Sequence, residues 1–452
     1  MTEYLKSISR FAAELTLEHL PSQVVERALE VTADTMAVVA AGGMEQEIGK
    51  LTTELLGEDR QEGPATLLTK GRKAPLLEAA FINGAAGTFL ELDEGNQFAR
   101  GHPAIHVVPA LLAFGEAIGA KGSDYIAALV AGYEIGARIG TAAKIRMSMH
   151  PHGTWGTVGA AAAAGRLAGV DSQGMEEIIN ISSSMALATS RKTMLEGATV
   201  RNAYSGLGNH LGLLSLKLYQ SGFTGEADGL STVYGSVISE VFDRASMTEE
   251  LGVRFEIARN YFKRHAACRY THSALDALEM MAGRFPDGRI PVDQVEEVLV
   301  ETYSLAAQLS NRNPTNMLAA KFSIPFAAAT FMVHNRAGVE CFRREKIADQ
   351  AVQRLADRVT VSEDPDLTAM MPGKRPSRVT IRLMDGSEFK AETYVNKGDF
   401  ELPYPREELT AKYYELADSV WGRDKAEAVY KTIRKLPELD NLTRLTAPLA
   451  AS

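Results

Sequence analysis

The stretch SRVTIRLMDGSEFKAETYV, residues 377–395, alternates apolar and polar side chains with a period of two, is rich in β-branched residues and places Asp385-Gly386 where a hairpin turns. VEEVLVETYS (295–304) and RVTVSE (358–363) have the same texture. Helices are expected between them, around 273–284, 315–334 and 345–356, so this part of the chain reads as α+β. Residues 1 to about 265 read as helical. LPSQVVERALEVTADTMAVVAAGG (20–43) opens at Pro21 or Ser22, repeats apolar residues at spacings of three and four, and closes at Gly42-Gly43. Like patterns predict helices near 74–92, 106–119, 122–141, 155–168, 174–188 and 201–221. From about 403 the chain returns to helix in PREELTAKYYELADSVWG and DKAEAVYKTIRKL, placed to pack back on the first part. The expected architecture is mostly α with a smaller α+β domain. An all-helical domain takes residues 1–268 and 403–452, and an α+β lid takes 269–402, with a discontinuous boundary.

A chain of 452 residues exceeds the size at which one core usually stops growing, which agrees with two domains. Apolar residues at 45% and charged residues at 23% describe a folded protein rather than a disordered one. Cys268 and Cys341 are the only cysteines, too few for an iron-sulfur cluster held in the usual way by four. The N-terminus lacks the uninterrupted apolar core of a secretory signal, and no window is long and apolar enough to span a bilayer. A cytoplasmic protein with no membrane or nucleic-acid partner is expected, because the net charge is -9 and basic residues are scattered.

The exception to that scatter is NYFKRHAACRYTHSALDA (260–277), which gathers Lys263, Arg264, His265, Arg269 and His272 with no acid before Asp276. A basic concavity in an acidic protein suits a small polyanion, a multi-carboxylate above all. Four further clusters could complete a site. LELDEGNQFARGHPAIH carries Asp93, Glu94, His102 and His106, with His102 just before Pro103 at a helix start. His102 and His106 could share a metal only within one helix, and no HExxH context accompanies them. MHPHGTWGTVG offers His150 and His152 as acids or bases near neutral pH. SRKTMLEGATVRNAYSGLGNH offers Arg191, Lys192, Arg201 and Tyr204, and an arginine there can grip a carboxylate with two parallel hydrogen bonds. KFSIPFAAATF offers Ser323 in an otherwise core-like run.

No strand leads into a phosphate-binding glycine loop, and no GxSxG elbow is present. GTVGAAAAAGRLAG (156–169) reads as a core helix built for close approach. The groups that remain are histidines and a lysine suited to proton transfer beside arginines suited to carboxylates. Burial beside other cations would bring a lysine toward the working pH. The residues, which include no metal quartet, therefore point to proton abstraction alpha to a carboxylate, followed by loss of a leaving group or by reprotonation.

The chain resembles the MmgE/PrpD family, which includes 2-methylcitrate dehydratase, cis-aconitate decarboxylase and iminodisuccinate epimerase. The matching segments are LPSQVVERALEVTADTMA, LDEGNQFARGHPAIHVVPALLAFGEA, HPHGTWGTVGAAAAAGRLAG, GLGNHLGLLSLKLYQSGFTG, FKRHAACRYTHSALDA and KGDFELPYPREELTAKYYELA. The resemblance implies a cofactor-independent enzyme, usually a homodimer, with the active site where a helical domain meets an α+β lid. It implies functional roles for Asp93, His102, His150 and Lys263, with Cys268 and His272 following on the last stretch. Arg201 falls where dehydratase and decarboxylase members carry a lysine, Tyr204 where they carry a histidine, and His152 where a small hydroxyl residue is common. These departures point away from 2-methylcitrate and cis-aconitate themselves.

The expectation is a dehydratase-type lyase acting on a small di- or tricarboxylate. Lys263 or His102 is the base, His150 the acid with Tyr204 as a second candidate, and Asp93 orients a histidine or binds a substrate hydroxyl. Arg201, Arg264, Arg269, His272, Cys268, His152 and Ser323 line the substrate. The rivals are an epimerase of an iminodisuccinate-like dicarboxylate, exchanging one proton between two bases, and a carboxylate-binding protein without catalysis.

Overall fold

The computed structural model describes residues 3–57 and 62–450. Its first half is helical, as the periodicity predicts: α1 (Glu3–Glu14), α2 (Ser22–Gly42), α3 (Gln46–Leu56), α4 (Leu76–Gly87), α5 (Pro103–Ile118), α6 (Gly122–Ala142), α7 (Trp155–Leu167), α8 (Ser172–Ser183) and α9 (Ala203–Gln220). A short hairpin, Ala65–Leu67 with Arg72–Ala74, interrupts the helices where the sequence was read as helical throughout. The helix expected over 74–92 stops at Gly87, which frees the loop that carries Asp93.

Of the small-residue helices, α7 is buried along almost its whole length, and α9 buries the face that carries Gly206, Gly208 and Gly212. A Cβ at Gly132 of α6 would lie 2.5 Å from the Ala163 Cβ of α7, and one at Gly212 of α9 would lie 2.5 Å from the Ala160 Cβ. Side chains are absent there because neighbouring helix backbones occupy the space.

The second half holds α10 (Arg269–Ala282) and a four-stranded sheet made from β3 (Val295–Thr302), β4 (Val359–Glu363), β5 (Ser377–Leu383) and β6 (Glu388–Thr393), in the order β6-β5-β3-β4. The β5–β6 hairpin turns at Asp385-Gly386, with Gly386 at φ 85° as a left-handed turn position requires. β3 and β4 run parallel, and the crossover between them carries α11 (Met317–Lys321), α12 (Ile324–His334) and α13 (Gln350–Ala356). The helix expected over 315–334 is two helices. Ser323 breaks it by capping the second, accepting a hydrogen bond from Phe326 N at 3.0 Å, with Pro325 in the first turn. The helix expected over 345–356 breaks in the same way at Asp349.

After the sheet, α14 (Arg406–Trp421) packs on α2, and Lys412 forms a buried ion pair with Asp34 at 2.6 Å. α15 (Arg423–Arg434) follows. Among the described residues, no helix is long and apolar enough to cross a membrane.

One small element positions the chemistry. β1 (Gly95–Asn96) and β2 (Asn260–Tyr261) pair antiparallel, Gly95 with Tyr261 and Asn96 with Asn260. Asn96 Nδ2 reinforces the junction by donating to the Glu256 carbonyl at 3.0 Å. Continued two residues outward, that register sets Asp93 opposite Lys263.

Candidate active site

Asp93 and Lys263 are buried, and Lys263 Nζ lies 3.4 Å from Asp93 Oδ1 and 3.5 Å from Glu91 Oε2. Nζ also donates to the Glu91 carbonyl at 3.1 Å. Burial alone would lower the lysine's pKa, but the Asp93 and Glu91 carboxylates outweigh it and hold the pKa above its usual value. This corrects the expectation that neighbouring cations would bring Lys263 toward neutrality: its nearest charges are negative, and it remains an ammonium. Burial would raise the Asp93 pKa, yet His102 and Lys263 beside it hold the carboxyl well below the ordinary range.

His102 caps α5 and turns its ring back over the Asp93 loop. Nδ1 stands 2.7 Å from the Glu94 carbonyl and 3.0 Å from Asp93 Oδ2, and both partners can only accept. The neutral ring therefore carries its proton on Nδ1 and leaves the Nε2 lone pair available, the tautomer of a general base.

Three more histidines crowd around. The His152 ring has centroids at 4.9 Å from His102, 5.1 Å from His106 and 4.7 Å from His150. His106 Nδ1 donates to the His102 carbonyl at 2.8 Å, and its Nε2 accepts from Gly153 N at 3.1 Å, so both nitrogens hold loops together. Gly208 leaves room for this ring, since a Cβ there would lie 2.9 Å from His106 Cδ2. Burial pushes the His106 pKa down to about 4. Burial, then Arg201, hold His150 and His152 well below the usual histidine value. His150 Nδ1 accepts from His152 N at 3.1 Å, and Arg201 Nε donates toward His150 Nε2 from 3.4 Å.

Arg201 is buried in an ion pair with Glu91, whose backbone is left-handed at φ 56°. Arg269 is fixed from three sides: Nη2 to Asp399 Oδ1 at 2.6 Å, Nη1 to His272 Nδ1 at 3.0 Å, and both to the Lys397 carbonyl at 3.2 Å. His272 Nε2 donates to the Ala267 carbonyl at 3.1 Å, which leaves Nδ1 to accept from Arg269 and orient it.

These groups enclose a cavity of about 50 Å³. Of the residues singled out in the sequence, His102, His150, His152, Arg201, Cys268 and Arg269 line it, and Asp93 and Lys263 stand behind His102 and Glu91. Others are not brought to it. Arg264 points to Glu415 at 3.7 Å, Ser323 is used as the α12 cap, and His272 and Tyr204 are not in the wall, although the Tyr204 ring is 6.1 Å from that of His150. Arg191, offered by the same stretch as Arg201, is also in the wall, and Glu91, Arg100, Tyr261, Tyr270 and Arg375 join it without having been given a role from sequence. Arg375 arrives from the loop leading into β5, donates to the Gln97 carbonyl at 3.1 Å and lies 5.7 Å from the Tyr261 ring centre. Burial raises the Cys268 thiol to about 11 and the Tyr261 phenol to about 12, so both keep their protons.

Asp93, His102 and His152 each offer a ligand atom within 4.8 Å of the others, the spacing of a metal site. The Lys263 ammonium on Asp93 and the Arg201 charge beside the histidines oppose a cation there and favour an anion.

A mostly helical fold thus brings a buried histidine-carboxylate pair to an arginine-walled pocket, an arrangement suited to proton transfer on a small anion. The chain belongs to the MmgE/PrpD family: the MmgE/PrpD N-terminal domain matches residues 6–247 and the C-terminal domain residues 265–437. It is similar to cis-aconitate decarboxylase of Aspergillus terreus, 24% identical over 97% of this chain and 94% of that protein. Cis-aconitate decarboxylase of Homo sapiens is 25% identical over 98% and 95%, and that of Mus musculus 23% over 96% and 90%.

Proposed function

We propose that the protein is a lyase that acts on a small tricarboxylate by removing a proton alpha to a carboxylate. The observation that carries this reading is the Asp93–His102 pair, which leaves the His102 Nε2 lone pair for a pocket walled by Arg100, Arg191, Arg201, Arg269 and Arg375. The similarity to cis-aconitate decarboxylases supports the substrate class.

In the dehydratase form of the reaction, His102 Nε2 takes the alpha proton and the electron pair spreads into a carboxylate held by arginine. The pair then forms a carbon-carbon double bond as the C-O bond to the neighbouring hydroxyl breaks. The hydroxyl leaves as water with a proton from His150. In the empty pocket His150 is neutral, with burial and Arg201 keeping it so. A bound polyanion offsets Arg201 and supplies the charge balance for His150 to bind that proton. Lys263 stays protonated and fixes the two carboxylates, and Asp93 holds the His102 tautomer. The chain would divide into residues 1–268 with 403–452 and residues 269–402, and would work as a cytoplasmic homodimer, which light scattering and fractionation check.

The test is proton NMR in heavy water with a panel of citrate-like, malate-like and aspartate-derived acids. A vinylic signal appearing as an alpha-proton signal disappears supports the lyase. Deuterium wash-in without a new carbon skeleton identifies an epimerase instead. No change in any acid overturns both.

A further inference from the structure

Helix α4 ends at Gly87, and the five residues that follow, Thr88 to Leu92, are all buried. Carbonyls at a helix C-terminus have no partner within the helix, and burial denies them water. Four of these five carbonyls are met by cations from distant chain. The Thr88 carbonyl accepts from Arg201 Nη1 at 3.3 Å and that of Phe89 from Lys321 Nζ at 2.8 Å. The Glu91 carbonyl accepts from Lys263 Nζ at 3.1 Å and that of Leu92 from Lys412 Nζ at 2.8 Å.

Arg201 and Lys263 belong to the site already described, but Lys321, the last residue of α11, and Lys412, in α14, do not line the cavity. Lys412 has Asp34 as its counter-ion at 2.6 Å. Among the described residues, no carboxylate stands within ion-pair distance of Lys321, and burial lowers its pKa to about 8. A buried amine without a counter-ion is costly, and the Phe89 carbonyl is what this one reaches.

The gripped segment is also under constraint. Glu91 sits at φ 56°, a left-handed position that a residue other than glycine holds only where its surroundings over-determine it. Asp93 is the one residue between Leu92, whose carbonyl Lys412 holds, and Glu94, whose carbonyl stands 2.7 Å from His102 Nδ1. Displacement of the gripped backbone therefore moves both acceptors that fix the His102 ring.

We propose that Lys321 and Lys412 are positioning residues for the Asp93–His102 pair, closing with Arg201 and Lys263 a clamp of four cations on the backbone that precedes Asp93. The proposal rests on the reading of His102 as the base. Neither lysine touches substrate; each acts through the loop that it holds.

The experiment compares wild type with Lys321→Met and with the double variant Asp34→Asn/Lys412→Met. Each removes one donor without stranding a buried carboxylate, and neutral replacement of a whole buried ion pair is often tolerated. In the folded variants kcat and kcat/KM should fall together, by about 10- to 100-fold with KM unchanged, because a displaced base slows the reaction and leaves the arginine wall intact. The second readout needs no turnover: NMR of nitrogen-labelled histidine rings, with His102 assigned by the signal lost in His102→Gln. Wild type should show a protonated Nδ1 and a bare Nε2, and both variants a mixture of tautomers. Variants that keep the wild-type His102 signal, with or without a loss of kcat, overturn the clamp and leave the lyase reading standing. A wild type that turns over no acid overturns the lyase reading, and the tautomer signal then decides the clamp by itself.

Discussion

Asp93 and Lys263 stand opposite each other in the register begun by Gly95 and Tyr261, and their side chains meet at 3.4 Å. The other Asp93 oxygen lies 3.0 Å from His102, so one carboxylate joins the Lys263 ammonium to the ring proposed as the base. Asp93→Asn should lower kcat/KM by about 10²–10⁴-fold, because it loses both the charge and the tautomer control. A smaller loss with the NMR assay would remove His102 from the role of base.

The Arg201–Glu91 pair sets a stability test. Arg201→Met strands a buried carboxylate, and breaking such pairs costs about 3–5 kcal/mol. Lys263 also reaches Glu91, at 3.5 Å, so the lower end of that range is expected. Guanidinium denaturation of wild type, Arg201→Met and Arg201→Lys would show it, with the lysine variant losing less. Equal midpoints for all three would contradict the pairing.

Glu94 predicts a signed pH effect. Burial raises its pKa to about 8, and Tyr133 donates to its Oε1 at 2.5 Å. The neutral form is the one the fold favours, so its stabilisation is complete below about 4.5 and is lost as pH rises through about 8. Glu94→Gln should therefore gain on wild type as pH rises from 5 to 8, by up to about 1.4 kcal/mol per pH unit. Parallel stability curves for the two proteins would refute this.

The histidines carry the opposite sign. His106, His150, His152 and His272 have depressed pKa values, so the fold favours their neutral forms. Each contributes stability that is complete above about 6.5 and falls by about 1.4 kcal/mol per pH unit below it, down to its folded value. Thermal melts from pH 7.5 to 5 should show a steep acid-side loss, shallower in His152→Asn. An unchanged slope in the variant would mean that His152 is not held neutral.

The helical half was legible because amphipathic periods are local, and so were the strands at 295–302, 359–363 and 377–393. The break at Ser323 was also written locally, in a serine two residues before a proline, but the apolar run around it masked the signal. Asp93, His102, His150 and Lys263 stood out because each lies in a compact, chemically unusual stretch. Arg375 did not, since KRPSRVT reads as the start of a strand and nothing nearby shows that it folds back to Gln97. Glu91 reads as one more acid in an acidic loop, and its pairing with Arg201 and Lys263 exists only across the fold. Lys263 was found, but its electrostatic surroundings come from distant chain, and its charge state was misread for that reason.

The two-rung ladder between Gly95–Asn96 and Asn260–Tyr261 also fixes when the site comes into being. A chain growing on the ribosome makes the aspartate and the histidines early, yet they face no lysine until residue 263 has emerged and the second rung has closed. On the proposed reading, competence is thus a late milestone of biosynthesis, since the wall residues Arg269 and Arg375 emerge later still.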